Sequence, residues 1–569
     1  MNKSFAVFSI SFVISMLPVL AYSETPSSQS AGSLQKEEQQ QQTEGQLEKQ
    51  IESKRPKTET VVPESRALPQ EGQKTMVKKI DVKGATLIPQ QVIDNIIKGY
   101  EGKELSLRDM QKVCDLITDE YRKRGRVTSR AYMPPQTISV QEAILVIIVI
   151  EGKVGDINIK GNKYFSSRLI LKKLDVKKGE YFDYQALQKA LVKLNDHPDR
   201  FVKAGLVPGK EEGTTDLLIE VQDRIPLHAE IGIDNYGSRY MKYIRNTLTV
   251  EDNNVVGWDD KLSFRYQRSF GQWYSSPYVS YTVPINNKLE IGSYWLWSDT
   301  KLAKQYEPDD IKGKTSIGGP FFTYEAINAD AVNLKLTGGF DYKRVTNYEN
   351  GAVISRDEDR VLKAGLNLDT TDSLGRTVVT LEEDVGVTGG GLYSKDPLAT
   401  TPGAGASFQK ISGYIYRLQP MPADSSILWK NAFQYSNYNL LSVEQFQLGG
   451  ISNLRGYDIG EYSGDSGVTS TFEWSFPAYF LPKNITVPYS KSTYYDATRL
   501  VAFYDMGYAQ LHDAITTDEP AKLTQEDWGY GVRFNLIEDV SARLECAFPI
   551  DSNVSMHDAH LYWDFSKKF

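Results

Sequence analysis

Cysteine and histidine are scarce in this chain of 569 residues, and their scarcity closes off several chemistries. Cys114 and Cys546 are the only two cysteines. They fall in segments read below as different domains, so a structural disulfide is not expected, and two cysteines cannot build a metal site alone. The five histidines are scattered and form no HExxH pattern. No Walker A loop and no Gly-x-Ser-x-Gly elbow occur, which removes the usual signatures of an NTPase and a lipase. Basic residues do not outnumber acidic ones. The formal net charge is −8, against the footprint of a nucleic-acid binder. Past the N-terminus, no apolar run is long enough for a spanning helix. Neither an enzyme nor a cofactor-dependent protein is indicated.

What the N-terminus does have is a secretory pattern. Lys3 supplies the charge, Phe5 to Leu20 the apolar core, and Ala21-Tyr22-Ser23 a small-x-small cleavage site. The core is short for a membrane anchor and no stop-transfer charges follow, so residues 1–23 read as a cleaved signal peptide. Residues 24–75 are polar, with Glu37 to Gln42 entirely Glu and Gln. Composition supports a disordered linker here. The stretch Ser30 to Arg55 holds no proline, which also allows a wholly polar helix, provided water or a polar cavity surrounds it. The linker is the leading expectation of the two.

Residues 76–151 form a compact unit. Val77 to Val82 alternates as a strand, and Val92, Ile93, Ile96 and Ile97 show helical spacing within Pro89 to Tyr100. Ser106 and Asp109 make a capping box for a second helix through Val113, Ile117 and Tyr121. Arg130 to Met133 and Ile144 to Ile150 finish as strands, giving the order β-α-α-β-β. Residues 152–225 repeat the plan, with helices over Ser166 to Leu174 and Tyr184 to Asn195, a short strand near Phe201-Val202 and a last one at Asp216 to Val221. An internal repeat implies tandem α/β modules.

From residue 226 to 569 the chain becomes a series of alternating strands. Leu227, Ala229, Ile231 and Ile233 interleave with His228, Glu230, Gly232 and Asp234. Leu262, Phe264 and Tyr266 interleave with Lys261, Ser263 and Arg265. So many charges on one face suit a water-filled lumen better than a sandwich core, and the 34 Tyr and 8 Trp suit interfacial girdles. The length allows about sixteen strands at roughly ten residues each plus connections. Leu561, Trp563, Phe565 and the terminal Phe569 share one parity, the form of an outer-membrane assembly signal. The runs Asp309-Asp310 and Glu382-Glu383-Asp384 read as solvated loop or rim charges.

Within this region Leu448-Gly449-Gly450-Ile451-Ser452-Asn453-Leu454-Arg455-Gly456-Tyr457 places an arginine among turn residues, a loop tip built to reach an acid. Phe503, Asp505 and Gly507 offer that acid on one strand face, while Tyr504, Met506 and Tyr508 occupy the other. In Trp528-Gly-Tyr-Gly531-Val532-Arg533-Phe534, the glycines and Arg533 face the lumen and the aromatics face lipid.

These motifs, in this order, resemble the two-partner secretion transporters, the family of the haemolysin activators and the filamentous haemagglutinin exporter. It lies within the superfamily that also contains barrel-assembly proteins. Arg455-Gly456-Tyr457 with Glu444 resembles the family's long sixth-loop signature; Phe503, Asp505 and Gly507 resemble the wall strand that receives it; Gly529, Gly531 and Arg533 resemble the next strand's motif. Arg130-Ala-Tyr132-Met133-Pro134-Pro135-Gln136, Leu194-Asn195-Asp-His-Pro198 and Leu206-Val-Pro208-Gly209 resemble two POTRA domains. The resemblance implies a signal peptide, POTRA domains at 76–151 and 152–225, and a 16-stranded antiparallel transmembrane β-barrel at 226–569, with a helix inside 24–75 able to plug it. It places the protein in the outer membrane of a Gram-negative bacterium with the POTRA domains in the periplasm. It implies export of a large secreted exoprotein, an adhesin, cytolysin or similar, taken unfolded at POTRA sheet edges and moved without ATP. Arg455, Gly456, Tyr457, Phe503, Asp505, Gly507 and Arg533 are the expected loop–lumen anchor. The alternative within the superfamily is an assembly factor for other barrels, whose members generally carry more POTRA repeats.

Overall fold

The computed structural model describes every residue except 1–29, 54–59, 62–73, 139–142, 304–306, 330, 388–390, 394–395, 489, 491, 515–519, 538 and 551–558. The expected signal peptide therefore lies outside the described residues. A helix, Ala31–Glu52, comes first. The Ser30 hydroxyl caps it by accepting the Ser33 amide, and Gln41–Glu37 and Gln42–Glu38 contacts of 3.2 and 3.0 Å run along its side. Glu37, Glu38, Gln40 and Glu44 are buried together with Leu34, Leu47 and Ile51. Such a helix needs polar surroundings, and it finds them inside the barrel. The linker expectation fails for residues 31–52 because composition cannot show that a charged wall will solvate the segment.

The first α/β unit packs helices Gln90–Ile97 and Leu107–Lys123 on a sheet whose central strand, Ile144–Ile150, pairs with Lys79–Lys83 and Arg130–Tyr132. Ser106 and Asp109 form the capping box of the second helix. A short strand between the helices, Lys103–Leu105, pairs with Thr75–Val77 and departs from the plain β-α-α-β-β order. The second unit carries helices Ser167–Leu174 and Tyr184–Asn195 over strands Lys153–Lys160, Arg200–Pro208 and Thr214–Asp223. The strand expected near Phe201-Val202 is thus much longer. Its outer edge is already taken: Thr60–Val61, from the segment after the luminal helix, pairs with it in parallel, Thr60 against Ala204 and Val61 against Gly205.

Sixteen antiparallel strands, from Leu227–Asp234 to His560–Lys568, close a barrel. Closure joins the first and last strands, with Glu230 opposite Lys568, and the Phe569 amide donates to the Ala229 carbonyl at 2.8 Å. Alternation sets the two faces: Phe472 and Trp474 are exposed outward, whereas Thr471 and Glu473 are buried inward. Asp309-Asp310 does sit in a connection, where Asp310 meets Lys312 at 2.6 Å. The run 382–384 does not. It belongs to strand Arg376–Gly386, and Asp384 is buried 3.6 Å from Lys410, because consecutive acids in a strand point to alternate faces rather than all to water.

The second α/β unit seats on the periplasmic end of the barrel. The Arg200 guanidinium makes two hydrogen bonds to Asp259, 2.5 and 2.6 Å, in the turn that precedes strand Lys261–Ser269. Lys193 reaches Glu325 at 2.5 Å, and His197 contacts the Asn253 carbonyl at 3.1 Å.

Candidate functional site

The connection 437–465 leaves strand Ser425–Ser436, turns back into the lumen and returns into strand Ser466–Pro477. A small ladder between Phe446–Leu448 and Tyr462–Gly464 stiffens its stem. At the bend Gly449 has φ +102, and a Cβ there would sit 2.0 Å from the Asp458 carbonyl oxygen, so only glycine fits. Asn453 then ties the tip together, accepting the Gly449 amide at 2.9 Å and donating to the Gln447 carbonyl at 3.0 Å.

This bend delivers Arg455 into a pocket of carboxylates. Its Nε and Nη2 donate to the two oxygens of Asp505 at 2.8 and 2.9 Å, and its Nη1 lies 3.1 Å from both Glu473 and Glu545. The guanidinium also lies 3.3 Å from the Phe503 ring centroid, on the face of the ring. Arg533 does not touch Asp505. It grips Glu473 in a fork at 2.6 and 2.7 Å and Glu545 at 2.9 Å. Two arginines and three carboxylates therefore form one buried network across four consecutive strands, Ser466–Pro477, Thr498–Gln510, Lys522–Ile537 and Val540–Pro549. Removing one member would leave opposite charge unmatched in a buried site.

The glycines make the fit. A Cβ on Gly456 would meet the Asp527 Cβ at 2.6 Å and the Pro549 nitrogen at 3.0 Å. One on Gly507 would meet Leu454 at 2.7 Å, and one on Gly529 would strike the Phe503 ring at 2.2 Å. Gly507 thus leaves a hole for the loop's apolar side chains, and Gly529 one for the ring beneath Arg455. Tyr457 is fully buried and donates to the Glu526 carbonyl at 3.0 Å. All seven residues expected at the anchor lie on the loop or on the wall strands that face it.

Sequence reasoning missed Glu473, Glu545 and Asp527. The signal was present but faint: Phe472-Glu473-Trp474 and Leu544-Glu545-Cys546 each set a lone acid at a lumen position between outward apolar residues. It missed a second grip as well. Glu444, at the loop stem, is paired by Lys343 and by Lys410, whose Nζ lies 2.5 Å from its carboxylate and 3.0 Å from its carbonyl. The luminal helix joins the same assembly. Arg245 donates to Glu38 at 2.7 Å, Lys430 to Glu48 at 2.8 Å, and the Ser452 hydroxyl of the loop to Glu37 at 3.0 Å. Helix, loop and wall are one polar core. Among the described residues no cluster of metal ligands occurs.

Residues 213–519 match the family described as Haemolysin secretion/activation protein ShlB/FhaC/HecB. Residues 75–152 match the ShlB-type POTRA domain, and 153–200 match a POTRA family described as Surface antigen variable number repeat. Heme/hemopexin transporter protein HuxB of Haemophilus influenzae (strain 86-028NP) is 23% identical over 501 residues, 86% of each chain. Outer membrane transporter CdiB of Escherichia coli is 25% identical over 548 residues, 89% of this chain and 85% of that protein. The structure of CdiB from Escherichia coli covers 94% of this chain and 99% of its own at 21% identity, with a TM-score of 0.71, which establishes likeness of fold. CdiB from Acinetobacter baumannii matches at 16% identity over 94% of this chain and 99% of its own, with a TM-score of 0.64. Because the first match spans more than half its length, this chain belongs to the haemolysin secretion/activation family of ShlB, FhaC and HecB.

Proposed function

We propose that this outer-membrane transporter carries one large, unfolded exoprotein through its own barrel, as a pore rather than an enzyme and without ATP. Two relatives are named for heme/hemopexin and hemolysin transport, and this chain's cargo is of that large secreted class. The carrying observation is the pairing of Thr60–Val61 with the edge strand Arg200–Pro208. An edge that already accepts an extended segment through main-chain hydrogen bonds suits an unfolded client, since strand addition demands little of its sequence. A client strand taking that place would displace the segment leading to the luminal helix and so connect recognition to the pore.

In this reading the Arg455 network holds the loop at rest against one wall, and the Glu444–Lys343–Lys410 contact holds its stem to another. The helix Ala31–Glu52 fills the remaining lumen. The domain boundaries that go with it are 24–75 for helix and connecting segment, 76–151 and 152–225 for the POTRA domains, and 226–569 for the barrel. With no nucleotide site in the sequence, net movement would draw on cargo folding outside the cell.

Deleting the gene and comparing proteins in the medium with those in the outer membrane tests the proposal. Loss of one large exoprotein with other barrels at normal levels is the expected result. A general fall in outer-membrane proteins would contradict it and favour an assembly factor.

A further inference from the structure

The connection between strands Ser466–Pro477 and Thr498–Gln510 lies at the periplasmic end and is far longer than its neighbours. The connections 372–375 and 422–424 are simple turns. Its described residues are held by main-chain bonds. The Val487 amide donates to the Ser492 carbonyl at 2.9 Å, the Tyr494 amide to the Ile485 carbonyl at 3.0 Å, and the Leu481 amide to the Ala478 carbonyl at 2.8 Å. Thr493 caps the single-turn helix Tyr494–Ala497. Ala478, Val487 and Tyr495 form its buried inside. The Tyr479 hydroxyl donates to the Ala423 carbonyl at 2.7 Å, and Arg499 donates to the Asp424 carbonyl at 2.7 Å, so the neighbouring turn holds it in place.

Despite these bonds, it presents large apolar groups outward: Phe480 is 77% exposed, Tyr479 54% and Ile485 51%. Tyr479 belongs to an aromatic series that begins on the lipid face of the barrel. Outward-facing Trp474 packs on Phe476 at 4.8 Å, Phe476 stacks on Tyr479 at 6.4 Å and 14°, and Tyr479 meets Tyr495 at 6.5 Å. Lys483 lies 4.3 Å above the Tyr495 ring. The ring series thus makes the start of the turn continuous with the lipid-facing wall. Exposed rings with a lysine beside them are the composition of a segment lying at a headgroup boundary, apolar side in the acyl region and cation at the phosphates.

We propose that residues 478–488 are an interfacial foot that seats Tyr479, Phe480 and Ile485 in the headgroup–acyl boundary of the periplasmic leaflet, with Lys483 at the phosphates. The occupant is phospholipid. A foot on one side of the barrel gives the wall from Ser466 to Gln510, the wall that receives Arg455, a fixed depth in the bilayer.

The test uses the full chain with Cys114 and Cys546 replaced by alanine, in vesicles of phosphatidylethanolamine and phosphatidylglycerol. Single Phe480→Cys and Ile485→Cys variants carry a nitroxide. Trp474→Cys serves as the lipid-facing reference and Lys210→Cys, on a side chain 87% exposed, as the aqueous one. Both foot positions are expected to collide with oxygen several times more than with a water-soluble nickel complex, close to the Trp474 reference. Nickel accessibility equal to that at position 210 at both sites would overturn the proposal. So would labels mobile in vesicles alone and immobilised only when an unfolded client is added, which would make the turn a client-docking surface. Normal heat-modifiable barrel folding of each variant keeps the reading independent of folding failure.

Discussion

Arg455 meets Asp505 through two parallel hydrogen bonds of 2.8 and 2.9 Å, with both side chains almost wholly buried. Fork geometry of this kind fixes direction as well as distance, so the loop that carries Arg455 has one seat on the wall. The same guanidinium also serves Glu473 and Glu545, which makes the contact part of a network and not an isolated pair.

Arg455→Lys is therefore not conservative. An ammonium cannot span Asp505, Glu473 and Glu545 at once, and breaking a buried pair costs about 3–5 kcal/mol. The barrel should still insert, while the loop becomes open to protease added outside. Exchanging the two residues as Arg455→Asp with Asp505→Arg should not restore the loop, since it sets a third carboxylate against Glu473 and Glu545. Limited proteolysis of intact cells reads both.

Gly456→Ala should lift the loop off the wall, because the new methyl would stand 2.6 Å from the Asp527 Cβ. Asp527→Gly in the same chain should recover most of the protease resistance. Recovery by Asp527→Asn would be inconsistent with a steric cause, since the Cβ remains.

Glu444→Ala leaves Lys343 and Lys410 without their shared carboxylate, although Asp384 remains near Lys410. The loop stem should loosen while the tip holds, giving larger fluctuations in single-channel current and little change in mean conductance. Deleting residues 30–53 should instead raise the mean conductance several-fold, as the helix leaves the lumen. Equal currents before and after that deletion would mean the helix does not obstruct flow.

Docking of the second α/β unit should depend on pH. Burial first, and the nearby Arg200 cation second, hold His197 below its ordinary value of 6.5, against the opposing pull of Asp259, the Asn253 carbonyl and Asp199. Its Nδ1 accepts the Asp199 amide at 3.1 Å, so Nε2 donates to the Asn253 carbonyl, an arrangement only the neutral ring provides. Arg224 and His228 face the same Asp199. A lowered imidazole value means the docking stability is fully present above 6.5 and is lost as pH falls below it toward the lower value. Distances between spin labels on this unit and the barrel should broaden at pH 5 relative to pH 7.5. His197→Gln should remove most of that difference.

Much of the architecture was legible because strand physics is local. Period-two alternation marks Leu227–Asp234 and His560–Lys568 without reference to anything distant. Arg455 and Asp505 could be matched because each stands out among its neighbours, an arginine in a glycine turn and an acid beside a glycine. Glu473 and Glu545 do not stand out: a single acid in an alternating strand looks like any lumen residue until the strands are set side by side. The luminal helix was hidden for a related reason. Its partners Arg245 and Lys430 come from 207 and 382 residues away, so a segment that looks like a solvated linker is in fact solvated by the barrel. The Thr60–Val61 pairing, two residues long, offers too little pattern for any periodicity to register.

The most direct test of the account is export by Arg455→Ala, measured as partner exoprotein in the medium against the amount of folded, membrane-inserted transporter. Insertion near the wild-type level is expected, with export reduced at least about tenfold, the effect of roughly 1.4 kcal/mol or more on a limiting step. Near-normal export by a variant whose Asp505, Glu473 and Glu545 have lost their shared cation would contradict it.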